Sequence, residues 1–146
     1  MPVKTHKSAF TYLGYSLLKC NYLRDFNSGH PTKLFIIASD VNERKDGILD
    51  LKIKIDITFQ NNTSSKFEYL SQFIINDHEW FKKANEENQN LGVSNLFSIA
   101  FPYIRASISA ITNDSLGGIF LPVINVLDGD ITKGVSFLAT PFEQPK

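Results

Sequence analysis

Three histidines, one cysteine and 15 acidic side chains are the groups here that could make or break bonds. His6, His30 and His78 lie far apart, in segments that read as loops. Asp77-His78-Glu79 has no metal-ligand spacing that recurs on one helix face, and Cys20 has no CxxC partner. Asp128-Gly129-Asp130 lacks the further acids of a calcium loop. The chain carries neither a glycine-rich phosphate loop nor a Gly-x-Ser-x-Gly elbow. These patterns predict no metal, no cofactor and no enzyme; a catalytic group assembled only by folding is the one route they leave open.

What the sequence does supply is apolar surface. It has 12 Phe and five Tyr, and 42% of its residues are hydrophobic. Such side chains either fill a core or line a surface that binds something apolar. At 146 residues the chain is expected to form one domain, 1–146, with a sizeable core. Positive and negative charges balance at 15 each, which argues against nucleic acid or an anionic membrane as the main partner. The apolar run 117–127 is far short of the ~20 residues a membrane span needs. The lone Cys20 fits a reducing compartment, and residues 1–7 lead into no signal-peptide core. The expected location is the cytoplasm. Asn61-Asn62-Thr63, a glycosylation pattern elsewhere, then reads as a hairpin turn.

The element that must organise the rest is residues 96–111. Apolar residues at 93, 96, 97, 100, 101, 104, 108 and 111 keep helical spacing. Asn113, Asp114, Gly117 and Gly118 supply its stop signal. Pro102 falls inside the pattern, so the helix either kinks there or begins there. Upstream the periods are those of strands. Residues 8–23 are apolar on both alternating faces, Phe10, Tyr12, Leu18, Cys20 and Tyr22 against Leu13, Tyr15, Leu17 and Leu23. A strand of that kind is covered on both faces or lies at a subunit contact. Gly14 predicts a bulge or a close backbone approach. Leu34-Phe35-Ile36-Ile37-Ala38 is a second strand, which periodicity alone cannot orient. Residues 48–60 alternate dry and wet through Leu51, Ile53, Ile55, Ile57 and Phe59, and 66–76 return with Phe67, Tyr69, Phe73 and Ile75 on one side. Asp77 can cap a short helix over 78–88, with Trp80, Phe81 and Ala84 as its apolar stripe. The tail from 128 shows only one strand-like piece, 134–138.

Two motifs tie these elements to a family. Phe101-Pro102-Tyr103-Ile104-Arg105, followed by Leu121-Pro122-Val123-Ile124-Asn125-Val126, resembles the paired signatures of the SecB protein-export chaperones. The matching positions are Phe101, Pro102, Tyr103 and Arg105, then Leu121, Pro122, Ile124 and Asn125, with Val126 in an aromatic slot. The likeness spans a core of about 8–127 and leaves 128–146 as an atypical tail. It implies an α+β fold: a four-stranded antiparallel sheet and one long helix, assembled as a dimer or a dimer of dimers. It also implies a holding chaperone that binds unfolded or extended client proteins in apolar grooves without ATP, for export or for a dedicated client such as an antitoxin. In this reading Leu34, Phe35, Ile36, Trp80 and Phe81 are groove candidates. Phe97, Phe101, Ile104, Arg105, Ile108 and Ile111 are core or subunit-interface candidates. The family's acidic docking residues for the translocase motor would fall on Lys19 and Leu23, so the resemblance does not extend to delivery to that motor. The competing expectation is a structural or regulatory oligomer that binds one dedicated protein or a small apolar ligand.

Overall fold

The computed structural model describes residues 10–44, 46–87, 91–122, 124 and 130–138. In chain order the elements are β1 (Phe10–Asn21), β2 (Pro31–Glu43), β3 (Ile48–Phe59), β4 (Ser64–Ile75), α1 (His78–Glu87), α2 (Leu91–Ile111) and β5 (Val135–Leu138). The strands form one antiparallel sheet in the order β1-β4-β3-β2-β5. The α+β architecture follows the expectation, but among the described residues the sheet has five strands, not four. The tail's strand-like piece pairs with β2, Leu34 opposite Phe137. Ile131 then takes the Ala38 N–H at 3.0 Å.

Alternation decides the two faces of this sheet. Leu49, Leu51, Ile53, Ile55, Ile57 and Phe59 of β3 are all buried, while Lys52, Lys54 and Asp56 point the other way. Register carries the dry face sideways: Ile55 lies opposite Ile36 and Phe67, and Ile53 opposite Ala38 and Tyr69. The wet face is laced with charge, including Lys52 to Glu68 at 3.3 Å. Asn62, at φ 67°, turns the β3–β4 hairpin in the left-handed region that asparagine tolerates.

α2 lies against the dry face. Leu96, Phe97, Ala100, Phe101, Ile104 and Ile108 are at most 4% exposed and join the sheet's side chains in one core. Each large side chain so buried contributes about 1.5–3 kcal/mol. The helix begins well before Pro102, which sits in its interior on the exposed side. The proline is tolerated because the carbonyl it leaves unbonded, that of Ser98, belongs to the solvent side of the helix. α1 opens where expected: Asp77 Oδ1 accepts the Trp80 N–H at 3.0 Å, an N-cap.

β1 departs from simple alternation. Its register against β4 shifts between Tyr12 and Gly14 and again between Leu17 and Lys19. Gly14 supplies φ 121° at the first shift, as its type predicted. The shifts re-sort the side chains. Tyr12, Tyr15, Leu17 and Cys20 lie opposite Phe73, Ser71, Tyr69 and Phe67, all buried, so all four belong to the helix-bearing face. The expected grouping of Tyr15 and Leu17 with Leu13 does not hold.

Two substitutions test this packing. Ile104→Asp sets an unpaired charge in the core of a single chain and is expected to abolish the cooperative unfolding transition seen by circular dichroism. Pro102→Ala restores a helical hydrogen bond on the solvent side and is expected to add about 1–3 kcal/mol, read as a higher denaturant midpoint.

Candidate functional site

The helix-bearing face of β1 is covered only at its start. Phe10 meets the Trp80 ring edge-on at 5.5 Å, and Tyr12 lies 5.1 Å from both Phe73 and Tyr103. Beyond that point α2 no longer reaches the strand. Tyr15 is 41% exposed and Leu17 42%, although both point to the side on which the core lies. Tyr103, on the flank of α2, is 54% exposed. Cys20 extends the strip and is also exposed. Leu13 and Leu18, the extra residues at the two register shifts, are each 46% exposed. β1 is also an edge strand, so its outer backbone groups have no ladder partner among the described residues. An apolar strip beside an open strand edge can bury apolar side chains and accept a further strand.

Tyrosine hydroxyls punctuate the strip. Tyr69 Oη meets Ser107 Oγ at 2.9 Å, which ties β4 to α2. Burial raises the Tyr69 phenol above its ordinary pKa, and the Ser107 hydroxyl offsets part of that. Burial likewise raises Tyr12, with the nearby Ser71 hydroxyl opposing. The Tyr12 and Ser71 oxygens are both buried, and neither has a hydrogen-bond partner of acceptable geometry.

A second concavity lies on the outer side of α2. There the chain leaves the helix, turns at Gly117 (φ 87°), and runs back along it. Thr112 fixes the turn: its fully buried hydroxyl donates to Ile108 O at 2.7 Å and accepts the Ile119 N–H at 2.8 Å. Ile119 and Leu121 drop into the core, which leaves Phe120 outside. Pro102, Arg105, Ala106 and Ser109 of the helix then face Phe120, Leu121 and Pro122 across a groove of about 400 Å³. Residues of both sequence signatures thus line one feature.

Arg24 fastens the end of this turn to the sheet. Its guanidinium donates to Gly117 O at 2.6 Å and Leu116 O at 3.2 Å and lies 5.8 Å from the Phe59 ring centroid. Tyr22 Oη donates to Asp114 Oδ2 at 2.8 Å, and Leu116 N–H to Asp114 Oδ1 at 2.9 Å. The Leu116 amide first, then the Tyr22 hydroxyl, hold the Asp114 carboxyl below its ordinary pKa.

The sequence-predicted site residues fall in different places. Leu34 and Ile36 have no exposed surface and belong to the core, because the dry face of β2 is the one carrying them. Phe35 points to the opposite face, partly buried, with its ring over Gly134. Trp80 and Phe81 are partly buried on α1. Phe97, Phe101, Ile104 and Ile108 are core within this one chain; Ile111 and Arg105 are partly buried. Pro102 and Tyr103 are exposed, Leu121 is buried, and Pro122 and Ile124 are partly buried. Asn125 and Val126 lie outside the described residues. Sequence reading missed the exposed strip, because the two register shifts hid its true face. It also missed the part of Ser109 and Phe120 in the groove; the alternation Ile119-Phe120-Leu121 was the available signal.

The sequence matches no family model and no curated protein. The fold does have a solved counterpart. A SecB-like chaperone from Mycobacterium tuberculosis, Rv1957, determined with a ChAD peptide of the HigA1 antitoxin, superposes with a TM-score of 0.58 at 15% identity. The match covers 80% of this chain and 91% of that one. The fold is therefore SecB-like. No helix among the described residues is long and apolar enough to cross a membrane.

The turn predicts an acid dependence. Because Asp114 titrates lower in the folded chain than in the unfolded one, its contribution is full above the ordinary carboxylate range and is lost as pH falls below about 4. Asp114→Asn is expected to lower the thermal midpoint at pH 7 and to flatten its fall between about pH 5 and 2, measured by calorimetry across that range.

Proposed function

We propose that this chain is an ATP-independent holding chaperone for unfolded or extended polypeptide. The observation that carries the reading is the apolar strip Tyr15–Leu17–Tyr103, left open among the described residues beside a strand edge that none of them pairs, in a SecB-like fold. A client segment would bury apolar side chains there at about 25 cal/mol per Å² and add backbone hydrogen bonds along β1. The strip also suits a second copy of the chain, since a long apolar edge strand is a liability unless something covers it. A homodimer or dimer of dimers would join several such strips on one particle and raise avidity without fixing client sequence. The core stripe of α2 is then not the contact; the interface lies along β1 and the Tyr103 flank.

A narrower reading is favoured by one observation. The structural neighbour is described with a peptide of an antitoxin, so a single dedicated client of that kind is a specific alternative to a broad client set. Light scattering separates the two. Two unrelated proteins, diluted from denaturant without nucleotide, are expected to stay in solution near a stoichiometric ratio of this chain. Leu17→Lys is expected to lose most of that protection while keeping a cooperative unfolding transition. Protection of one partner alone supports the dedicated reading, and protection of none rejects both. Sedimentation gives the assembly state of wild type and variant in the same samples.

A further inference from the structure

Among the described residues, the groove outside α2 holds one formal charge. Arg105 is partly buried, and its guanidinium makes no hydrogen bond or ion pair with any residue the structure describes. Arg24 is the internal comparison: three of its five N–H donors go to two carbonyls and a phenol. Among the described residues, no acidic side chain lines the Arg105 groove. The concavity on the wet face of the sheet is different in kind, since its Lys19, Lys54 and Lys66 stand among Asp56 and Glu68.

The neighbours of Arg105 define what would satisfy it. Pro102 and Pro122 have no N–H to offer, and the side chains of Phe120, Ala106 and Leu121 are apolar. Ser109 brings a hydroxyl. Such walls thin out water and strengthen a charge-assisted hydrogen bond. A guanidinium presents a planar fork that fits a carboxylate two-pronged. Apolar side chains on both sides favour an anion carried between apolar groups.

We propose that this groove binds an acidic side chain, Asp or Glu, flanked by apolar residues in an extended client segment. The carboxylate meets Arg105 and Ser109, and the flanking side chains lie on Phe120 and Pro122. The proposal rests on the holding reading and adds to it a preference for charge. Pro102 of the groove is next in the chain to Tyr103 of the strip, so one extended client could engage both features.

The test uses the full chain and two labelled nine-residue peptides, apolar except for a central Glu in one and Gln in the other. Fluorescence anisotropy is expected to show the Glu peptide bound about tenfold tighter at low salt, the factor shrinking as salt rises. Arg105→Gln is expected to erase that factor, and Arg105→Glu to turn the preference toward a peptide with central Lys. Should the Arg105 variants not fold, Ala106→Trp fills the groove from an exposed helix position and is expected to erase the same factor. Equal binding of both peptides overturns the proposal and leaves the holding reading in place. Binding of neither peptide overturns the holding reading itself. A change in sedimenting mass in Arg105→Gln, without any charge preference, would assign the guanidinium to a contact between copies and also overturn the proposal.

Discussion

One helix has to dry one whole face of a five-stranded sheet, and it is too narrow to do so. Strands spaced about 4.8 Å apart make a surface roughly 19 Å wide between the outer axes, and a helix with its side chains spans about 10–12 Å. α2 packs along β4, β2 and the start of β1, and something else must finish each side. On the β2 side the returning chain supplies the cover, with Ile119, Leu121 and Ile131 all buried. On the β1 side no described residue does so beyond Tyr12 and Tyr103. The open strip is the arithmetic remainder of that mismatch.

The covered side owes its shape to a few polar bonds. Without the Thr112 hydroxyl, the buried amide of Ile119 would lose its acceptor, whereas the Ile108 carbonyl would keep the Thr112 N–H. Without Arg24, two carbonyls of the turn would lose their donors. Together they aim residues 119–122 back along the helix, and only that direction creates a groove beside Arg105. The two concave features of the molecule therefore have one origin: what α2 does not cover, and what was brought in to cover the rest.

Much of this was legible in the residues themselves. The alternation of β3 fixes its dry face because one wrong register would bury Lys52, Lys54 and Asp56. Asp77 marks the start of α1 because its carboxylate serves a free helix amide. The two signatures anticipated the SecB-like fold. The failures have equally local causes. Leu34, Phe35 and Ile36 are all apolar, so no pattern says which of them points inward until β3 is beside them. Pro102 weighs against a helix interior unless its missing bond falls on the solvent side, and the sequence does not contain that orientation. Gly14 announced the first shift in β1, but nothing at Leu17-Leu18-Lys19 announced the second. A four-residue strand at the far edge is too short to carry a period, and β5 was visible only as an apolar fragment.

The strand order has a kinetic side. β2, β3 and β4 follow one another through tight turns, so they can pair as soon as they are made. β1 is first in the chain, yet its partner is β4; Phe10 must find Ile75. Closing so long a loop is slow compared with zipping a hairpin. Of the four long strands, the first made is thus the last to dock, and its greasy side chains wait in water while β2, β3 and β4 assemble. In each molecule, folding ends with the same kind of unfinished segment that the finished surface is shaped to hold.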